Sequence, residues 1–453
     1  MATRQRRTSA EPRRGITRLS VEGFKSLRSR QEIEIRPLTV LAGANSSGKS
    51  SIVQPLLLLK QTLEVPYDPG PLLLDGPNVS VTSVSQILSR RSGRIARARE
   101  FFVGIELDGD DTSLRFGRSA RGDLVIREMR GTRGGRNEVV TLREGMAQEE
   151  LLSQLSRETV GRVLGFLDSS DMTLGVTRDR CFLDIGLLFK DDGVSEQWPS
   201  PWASLQRSPR LEDALTRVVH LPALRGNPRR TYRTVAVEDR YPGTFDTYTA
   251  GVISAWQNRG REDLLDRLWL DLEELGLTWT VEARKIDDTQ VELVVGRLVQ
   301  GRRSGARDVV NIADVGFGVS QTLPVVVALL AAGPGQLVYL EQPEIHLHPR
   351  AQVALAPLLV RAVERGSRVL VETHSGILLR SLQTVVADGK LSPDLVALHW
   401  FKRDPVSGFT EVIRGQLDQK GAYGDWPEDF DEVVLTAEQR YLDAAAGATG
   451  SAE

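Results

Sequence analysis

Gly43-Ala44-Asn45-Ser46-Ser47-Gly48-Lys49-Ser50 is the stretch on which the fold turns. It fits the pattern G-x-x-x-x-G-K-S/T. Residues 37–42 before it (Pro-Leu-Thr-Val-Leu-Ala) read as a short apolar strand, and residues 50–63 after it read as an apolar helix. A glycine-rich turn in that context wraps an anion with successive backbone N–H groups, and the helix N-terminus adds partial positive charge. Gly43 and Gly48 permit the tight turn, Lys49 can reach the outer phosphates of a nucleotide, and Ser50 offers a hydroxyl to Mg2+. Chance would place such a pattern in roughly one or two chains in a hundred of this length. The strand before it and the helix after it are what chance does not supply.

Three later stretches belong with it. Leu337-Val-Tyr-Leu340-Glu341-Gln342-Pro343-Glu344 is an apolar strand ending in acidic residues, where a carboxylate holding Mg2+ through water belongs. Arg368-Val-Leu-Val371 runs into Glu372-Thr373-His374-Ser375, and a histidine at the C-terminal edge of a strand can reach a γ-phosphate. Gly316-Phe-Gly318-Val-Ser320-Gln321 enters an apolar helix read over residues 320–332. This is a second potential anion site. One nucleotide needs one cradle, so the economical reading is that this surface caps a nucleotide on another subunit.

The length of 453 residues allows two to three domains. With 40% hydrophobic and 26% charged residues the balance is that of a soluble globular chain. A net charge of -2 provides no whole-molecule field toward DNA or a membrane. The lone Cys181 excludes a disulfide framework and suggests a reducing compartment. Residues 1–15 carry Arg4, Arg6, Arg7, Arg13 and Arg14 with little apolar content, so they read as a disordered basic tail rather than a secretory signal. No apolar run approaches the roughly 20 residues of a membrane span. The expected location is the cytoplasm.

Residues 16–146 read as the first half of the nucleotide-binding unit. Its strands at 101–107, 113–116, 124–129 and 139–142 are separated by turns such as Asp108-Gly109-Asp110 and Gly134-Gly135, and suggest an antiparallel sheet. Residues 147–300 read as an inserted helical and mixed arm, with helical spacing over 148–167 and 261–275 and strands at 279–283 and 291–295. Residues 168–228 give no clear pattern. Residues 301–400 alternate strand and helix, which implies a parallel sheet with crossovers. A small hairpin and tail are expected over 401–453. Arg225, Arg229, Arg230 and Arg233 form a basic run that suits either a nucleic-acid or nucleotide path or a solvated loop.

The order of these motifs resembles ABC-type ATPases, and the long separation of Lys49 from Glu341 is more similar to their RecF/SMC/OLD-like branch than to a transporter cassette. Leu19-Ser-Val-Glu-Gly-Phe24-Lys25-Ser26 is similar to the "NFKS" strand-turn of that group, and Glu341-Gln-Pro-Glu-Ile-His-Leu-His-Pro349 resembles its "EEPExHLHP" run. Gly421, Asp425-Trp426-Pro427 and Phe430-Asp431-Glu432 look like a small C-terminal domain found on some of these bacterial ATPases. The resemblance implies an α/β P-loop NTPase fold of ABC-ATPase type, with a mixed sheet, flanking helices and an inserted helical arm. It implies ATP and Mg2+ as cofactors, with Gly43 through Ser50 and Ser51 on the phosphates and Ser50 and Glu341 on the metal. Gly316, Gly318, Ser320 and Gln321 would be the signature and His374 the switch. It further implies a homodimer on ATP binding that controls a DNA or effector-protein partner, in DNA repair or phage defence, with no membrane.

This sequence departs from the family pattern in three places, and no convincing Q-loop stands out. Gln342 stands where a catalytic glutamate is usual, with Glu344 the next carboxylate able to serve as base. Gly316 replaces the usual signature serine, leaving Ser320 further along. His348 aligns with the aspartate of the loop after the carboxylate strand, and Gln86 is the only guess at a Q-loop. OLD proteins that cleave DNA carry a nuclease domain after the ATPase. The 79 residues after His374 (453 − 374) show no two-metal cluster, so no nuclease is expected on this chain. Two functions follow: an ATPase, slow because of Gln342, that works by nucleotide-driven dimerisation, or a nucleotide-dependent switch or scaffold with almost no turnover.

Overall fold

A computed structural model describes residues 15–90, 98–133, 136–154, 160–161, 172–189, 197–198, 209–234, 238–297, 308–424, 439–440 and 442. Nearly all of the expected basic tail lies outside these residues, as do the Gly134-Gly135 turn, much of the 148–167 stripe and the Asp425–Glu432 part of the C-terminal motif.

Strands β1 (Ile16–Glu22), β2 (Gln31–Glu34) and β3 (Leu38–Gly43) lead into helix α1 (Lys49–Glu64) and the single turn α2 (Val84–Ile87). Then come β4 (Glu100–Leu107), β5 (Asp110–Arg118), β6 (Leu124–Arg133), β7 (Arg136–Leu142) and α3 (Gln148–Ser153). The middle holds β8 (Met172–Asp179), β9 (Phe182–Phe189), β10 (Gln197–Trp198), α4 (Pro209–Thr216), β11 (Val219–Leu221), β12 (Tyr232–Arg233), α5 (Thr249–Asn258), α6 (Glu262–Glu274), β13 (Val281–Lys285), β14 (Gln290–Gly296) and β15 (Val309–Asn311). The last third is α7 (Phe317–Ala331), β16 (Leu337–Glu341), α8 (Pro349–Glu364), β17 (Arg368–Thr373), α9 (Gly376–Ala387), β18 (Val396–Arg403) and β19 (Thr410–Gly415).

The central sheet has the order β11-β16-β17-β3-β18-β19. All its pairs are parallel except the β18/β19 hairpin. Strands β11, β16, β17 and β3 are buried on both faces, and their side chains alternate between two cores. Val40, Val338, Leu340, Val369 and Val371 point into one core, packed with α7, α8 and α9. Leu41, Leu337, Tyr339 and Leu370 point into the other, packed with α1 and the second sheet. That second sheet, β2-β1-β4-β5-β6-β7, is antiparallel throughout, as the turn residues between its strands suggest. The fold is α/β, a mixed sheet with flanking helices.

Two boundaries differ from those read in the sequence. The region 147–300 holds more strand than its helical spacing suggests, and one of its strands, β11, is an edge strand of the central sheet beside β16. Three residues, Val219-His220-Leu221, are too few to show a period. Helices α5 and α6 of the same region pack on α7. The boundary expected between 400 and 401 falls inside β18, which pairs with β3 from Val396↔Leu38 to Phe401↔Gly43. The hairpin therefore extends the central sheet rather than standing apart. Among the described residues no helix is long and apolar enough to cross a membrane.

Candidate functional site

The C-terminal ends of β3, β16 and β17 converge on one cavity of 760 Å3, and the P-loop forms its floor. The turn depends on two glycines. Gly48 has φ 103, and a Cβ there would meet Thr410 Oγ1 at 2.6 Å and Ser26 Oγ at 2.7 Å. Gly43 has φ 148, and a Cβ there would lie 2.5 Å from the carbonyl oxygen of Phe401. Both positions exclude L side chains through conformation and space together. The hairpin clamps the turn from outside: Thr410 Oγ1 donates to the Ser47 carbonyl at 2.6 Å, and Arg403 Nη1 donates to the Ser46 carbonyl at 3.1 Å.

Residues 45–51 line the cavity, while Gly43 and Ala44 sit behind it. Their carbonyls accept from Lys49 Nζ at 3.0 and 2.8 Å. Lys49 is buried, and desolvation lowers its pKa to about 8 against the pull of Glu372 and Glu344. A buried ammonium that rests on loop carbonyls is held in place for an anion entering the loop.

The carboxylates are not arranged as the sequence suggests. Glu341 does not line the cavity. Its Oε1 lies 3.2 Å from His220 Nε2, and its Oε2 accepts from the Ala223 N–H at 3.2 Å, so it faces β11. Burial raises its pKa, but His220 and the other hydrogen bonds outweigh that and leave it lowered. Glu372, on β17 between the P-loop strand and β16, does line the cavity. Ser50 Oγ donates to its Oε1 at 3.0 Å, and the Tyr339 hydroxyl donates to its Oε2 at 2.8 Å. Burial first and Glu341 second raise its pKa, while Tyr339, Lys49 and Ser50 pull it down. His220 stacks on the Tyr339 ring at 5.3 Å. Neither Glu372 nor His220 stood out in the sequence. The signal for Glu372 was a carboxylate directly after the apolar run Val369-Leu370-Val371.

Gln342 lines the cavity. It has φ 44, an unusual conformation for a non-glycine residue, and its N–H donates to the Glu372 carbonyl at 2.7 Å. His374 lines the cavity as well, with a pKa lowered by burial first and Lys49 second. Glu344 does not. It is buried, and its Oε1 accepts from Thr373 Oγ1 at 2.6 Å and from the His374 N–H at 3.0 Å. In this geometry Glu344 fixes the turn that carries His374. Gln86, the guess at a Q-loop, lies on the cavity rim with Lys25, Gln54 and Arg90. Lys25 Nζ donates to Gln54 Oε1 at 2.5 Å.

The second glycine-rich entry is split between surface and interior. Helix α7 begins at Phe317, three residues earlier than the apolar run suggests, with Gly316 as its N-cap and no side-chain cap. Phe317 is 55% exposed, and no atom lies within 4 Å of a Cβ built at Gly316. Ser320 bonds back to the Phe317 carbonyl at 3.2 Å. Gln321 is buried and donates to the carbonyls of Arg225 and Gly226. None of these residues touches the P-loop cavity of its own chain. In the basic run, Arg225 is buried and hydrogen-bonded to backbone, whereas Arg229, Arg230 and Arg233 are exposed. His348, in the aspartate position, caps α8 by accepting from the Arg350 N–H at 3.4 Å.

Two segments match known domain families. Residues 15–148 match one described as "AAA ATPase domain", and residues 283–381 match one described as "AAA domain, putative AbiEii toxin, Type IV TA system". No curated protein matches the chain. Similar solved structures include an SMC head bound to the C-winged-helix domain of ScpA, with 12% identity, 89% of this chain and 98% of that chain covered, and a TM-score of 0.48. Another is the SMC head domain from Thermotoga maritima, with 12% identity, 88% and 98% covered, and a TM-score of 0.41. A third is an SMC head with an extended coiled coil bound to the C-terminal domain of ScpA derived from Pyrococcus furiosus, with 12% identity, 89% and 97% covered, and a TM-score of 0.46.

Proposed function

We propose that the chain binds ATP with Mg2+ in the P-loop cavity, hydrolyses it slowly, and uses nucleotide to bring two copies together. The observation that carries this reading is the cradle itself: residues 45–51 around a cavity whose far wall is Gln342, Glu372 and His374. Backbone N–H groups of the loop would hold the phosphates, and Lys49 would exchange its loop carbonyls for the outer phosphate oxygens. The Ser50 hydroxyl and a buried carboxylate beside it are hard oxygen donors suited to Mg2+. When bound, Mg2+ neutralises charge developing on the transferred phosphoryl group. Gln342 would orient the attacking water, and His374 would contact the γ-phosphate from the end of β17.

Dimerisation is supported by the entry to α7, where Gly316 and Phe317 are presented away from the chain's own cavity. Such a dimer would operate a partner, DNA or an effector protein, in DNA repair or phage defence. A nucleotide-dependent switch with almost no turnover is the second reading, and Gln342 at the water-facing position favours it. Steady-state release of phosphate at saturating ATP separates the two: turnover above the buffer rate supports the ATPase, and none supports the switch.

A further inference from the structure

Resting on the nucleotide reading above, we propose that the carboxylate holding the divalent cation of this site is Glu372. Glu341, at the position expected for that role, is instead a fixed part of the wall behind it. Three observations carry the assignment. Glu372 Oε1 accepts the Ser50 hydroxyl at 3.0 Å, so the two oxygens a P-loop magnesium site needs from the protein already face each other. Glu372 lines the cavity and Glu341 does not. Both Glu341 oxygens are engaged toward β11, one with His220 and one with the Ala223 N–H.

The local chemistry fits the same division. Tyr339 holds the second oxygen of Glu372 at 2.8 Å and so fixes which oxygen is presented to Ser50. Glu341 and Glu372 are direct partners across the β16/β17 pair; Glu372 is buried and Glu341 partly so. Two neighbouring carboxylates withdrawn from water repel, and each is costly to keep charged. On the Glu341 side, His220 and a backbone N–H offset that cost. On the Glu372 side the direct hydrogen-bond donors, Ser50 and Tyr339, are neutral, and the nearby Lys49 ammonium is the cation a bound phosphate would draw away, which leaves a carboxylate that a divalent cation at the cavity mouth would satisfy. Reading the motif along one strand points to Glu341. Reading it across the sheet points one strand nearer the P-loop.

The test compares Glu372→Gln with Glu341→Gln in the full chain. The probe is Mn2+ titrated in the presence of ATP, with free Mn2+ followed by electron paramagnetic resonance. Binding of a fluorescent ATP analogue in EDTA is measured in parallel. Glu372→Gln is expected to weaken Mn2+ binding about 10-fold or more, the loss typical when a group orienting a metal site is removed, without weakening metal-free nucleotide binding, because the lost group is an anion beside the phosphates. Glu341→Gln is expected to keep the wild-type Mn2+ affinity. Loss confined to Glu341→Gln, or equal loss in both, overturns the assignment. If the wild type binds no nucleotide in EDTA or with Mn2+, the nucleotide reading fails instead. Should Glu372→Gln not fold, Glu372→Asp and Glu341→Asp carry the comparison, since each keeps its charge and withdraws by one methylene. Only Glu372→Asp is then expected to lose Mn2+ affinity, and the reverse overturns the proposal.

Discussion

Arg225 and Gln321 hold each other through the backbone: Arg225 Nη1 donates to the Gln321 carbonyl at 2.9 Å, and Gln321 Nε2 donates back to the Arg225 carbonyl at 3.3 Å. The other end of the guanidinium, Nη2, reaches the Glu341 carbonyl at 3.1 Å. One side chain thus ties the start of α7 to the turn that carries Gln342 into the cavity. Burial lowers the Arg225 pKa to about 10, with Glu344, Asp246 and Glu341 opposing.

Arg225→Met should therefore destabilise the chain by about 2–3 kcal/mol, since buried carbonyls lose a charged donor. Arg229→Met and Arg233→Met, at exposed positions, should fall within about 0.5 kcal/mol of wild type. Urea unfolding of the three variants measures this. Equal effects in all three would mean that Arg225 is not the tie described.

Gly316→Trp should leave the monomer folded, because its backbone has φ -63 and no atom lies within 4 Å of an added Cβ. In the dimer proposed above it should block close approach to the partner's nucleotide. Light scattering with a non-hydrolysable ATP analogue is expected to show a doubled mass for wild type and a monomer for the variant. A wild-type mass that does not change at saturating nucleotide rules out the dimer.

Gln342→Glu should speed single-turnover hydrolysis. An amide can orient water but cannot take its proton at neutral pH, and a positioned base typically contributes 10²–10⁴-fold. Glu344→Gln should slow turnover less, by loosening the turn at Thr373 and His374. A dead Glu344→Gln beside an unimproved Gln342→Glu would instead make Glu344 the base.

His399 gives a pH dependence that can be read in the fold. Its Nε2 is 2.9 Å from the Glu34 carbonyl, which requires a donor there, and its buried Nδ1 has no hydrogen-bond partner. Burial lowers its pKa, Arg414 and Arg36 add to that, and the Glu34 carbonyl and carboxylate oppose it. The folded value lies below the unfolded one, near 6.5, so the unfolded chain binds the proton first. The contribution is complete above about pH 6.5 and is lost as pH falls through the folded value. His399→Gln should flatten the fall in melting temperature between pH 7.5 and pH 5, and an unchanged slope would show that another group sets it.

What was legible in the sequence follows from what is local. The P-loop, β16, β17 and the hairpin each announce themselves within about ten residues through apolar runs and glycine turns. Their meeting at one cavity follows from parallel strands ending on the same side. Glu372 was hidden because it sits in an apolar strand, and its role depends on the strand order β16-β17-β3, which no local period encodes. His220 was hidden for the same reason, on a strand of three residues. Arg225 reads as one of four surface arginines until Gln321 and the Glu341 carbonyl are seen around it.

The most direct test of the account is nucleotide binding by Lys49→Ala. Lys49 is the cation of the loop and rests on the carbonyls of Gly43 and Ala44. Its removal should cost a charge-assisted contact of about 1.5–3 kcal/mol, a weakening of roughly 10- to 150-fold at 1.4 kcal/mol per decade. The measurement is titration of a fluorescent ATP analogue into wild type and variant at matched melting temperature. The account predicts saturable binding by wild type and a loss of at least about tenfold in the variant. Equal affinity in the two proteins would contradict the assignment of the P-loop cavity as the nucleotide site.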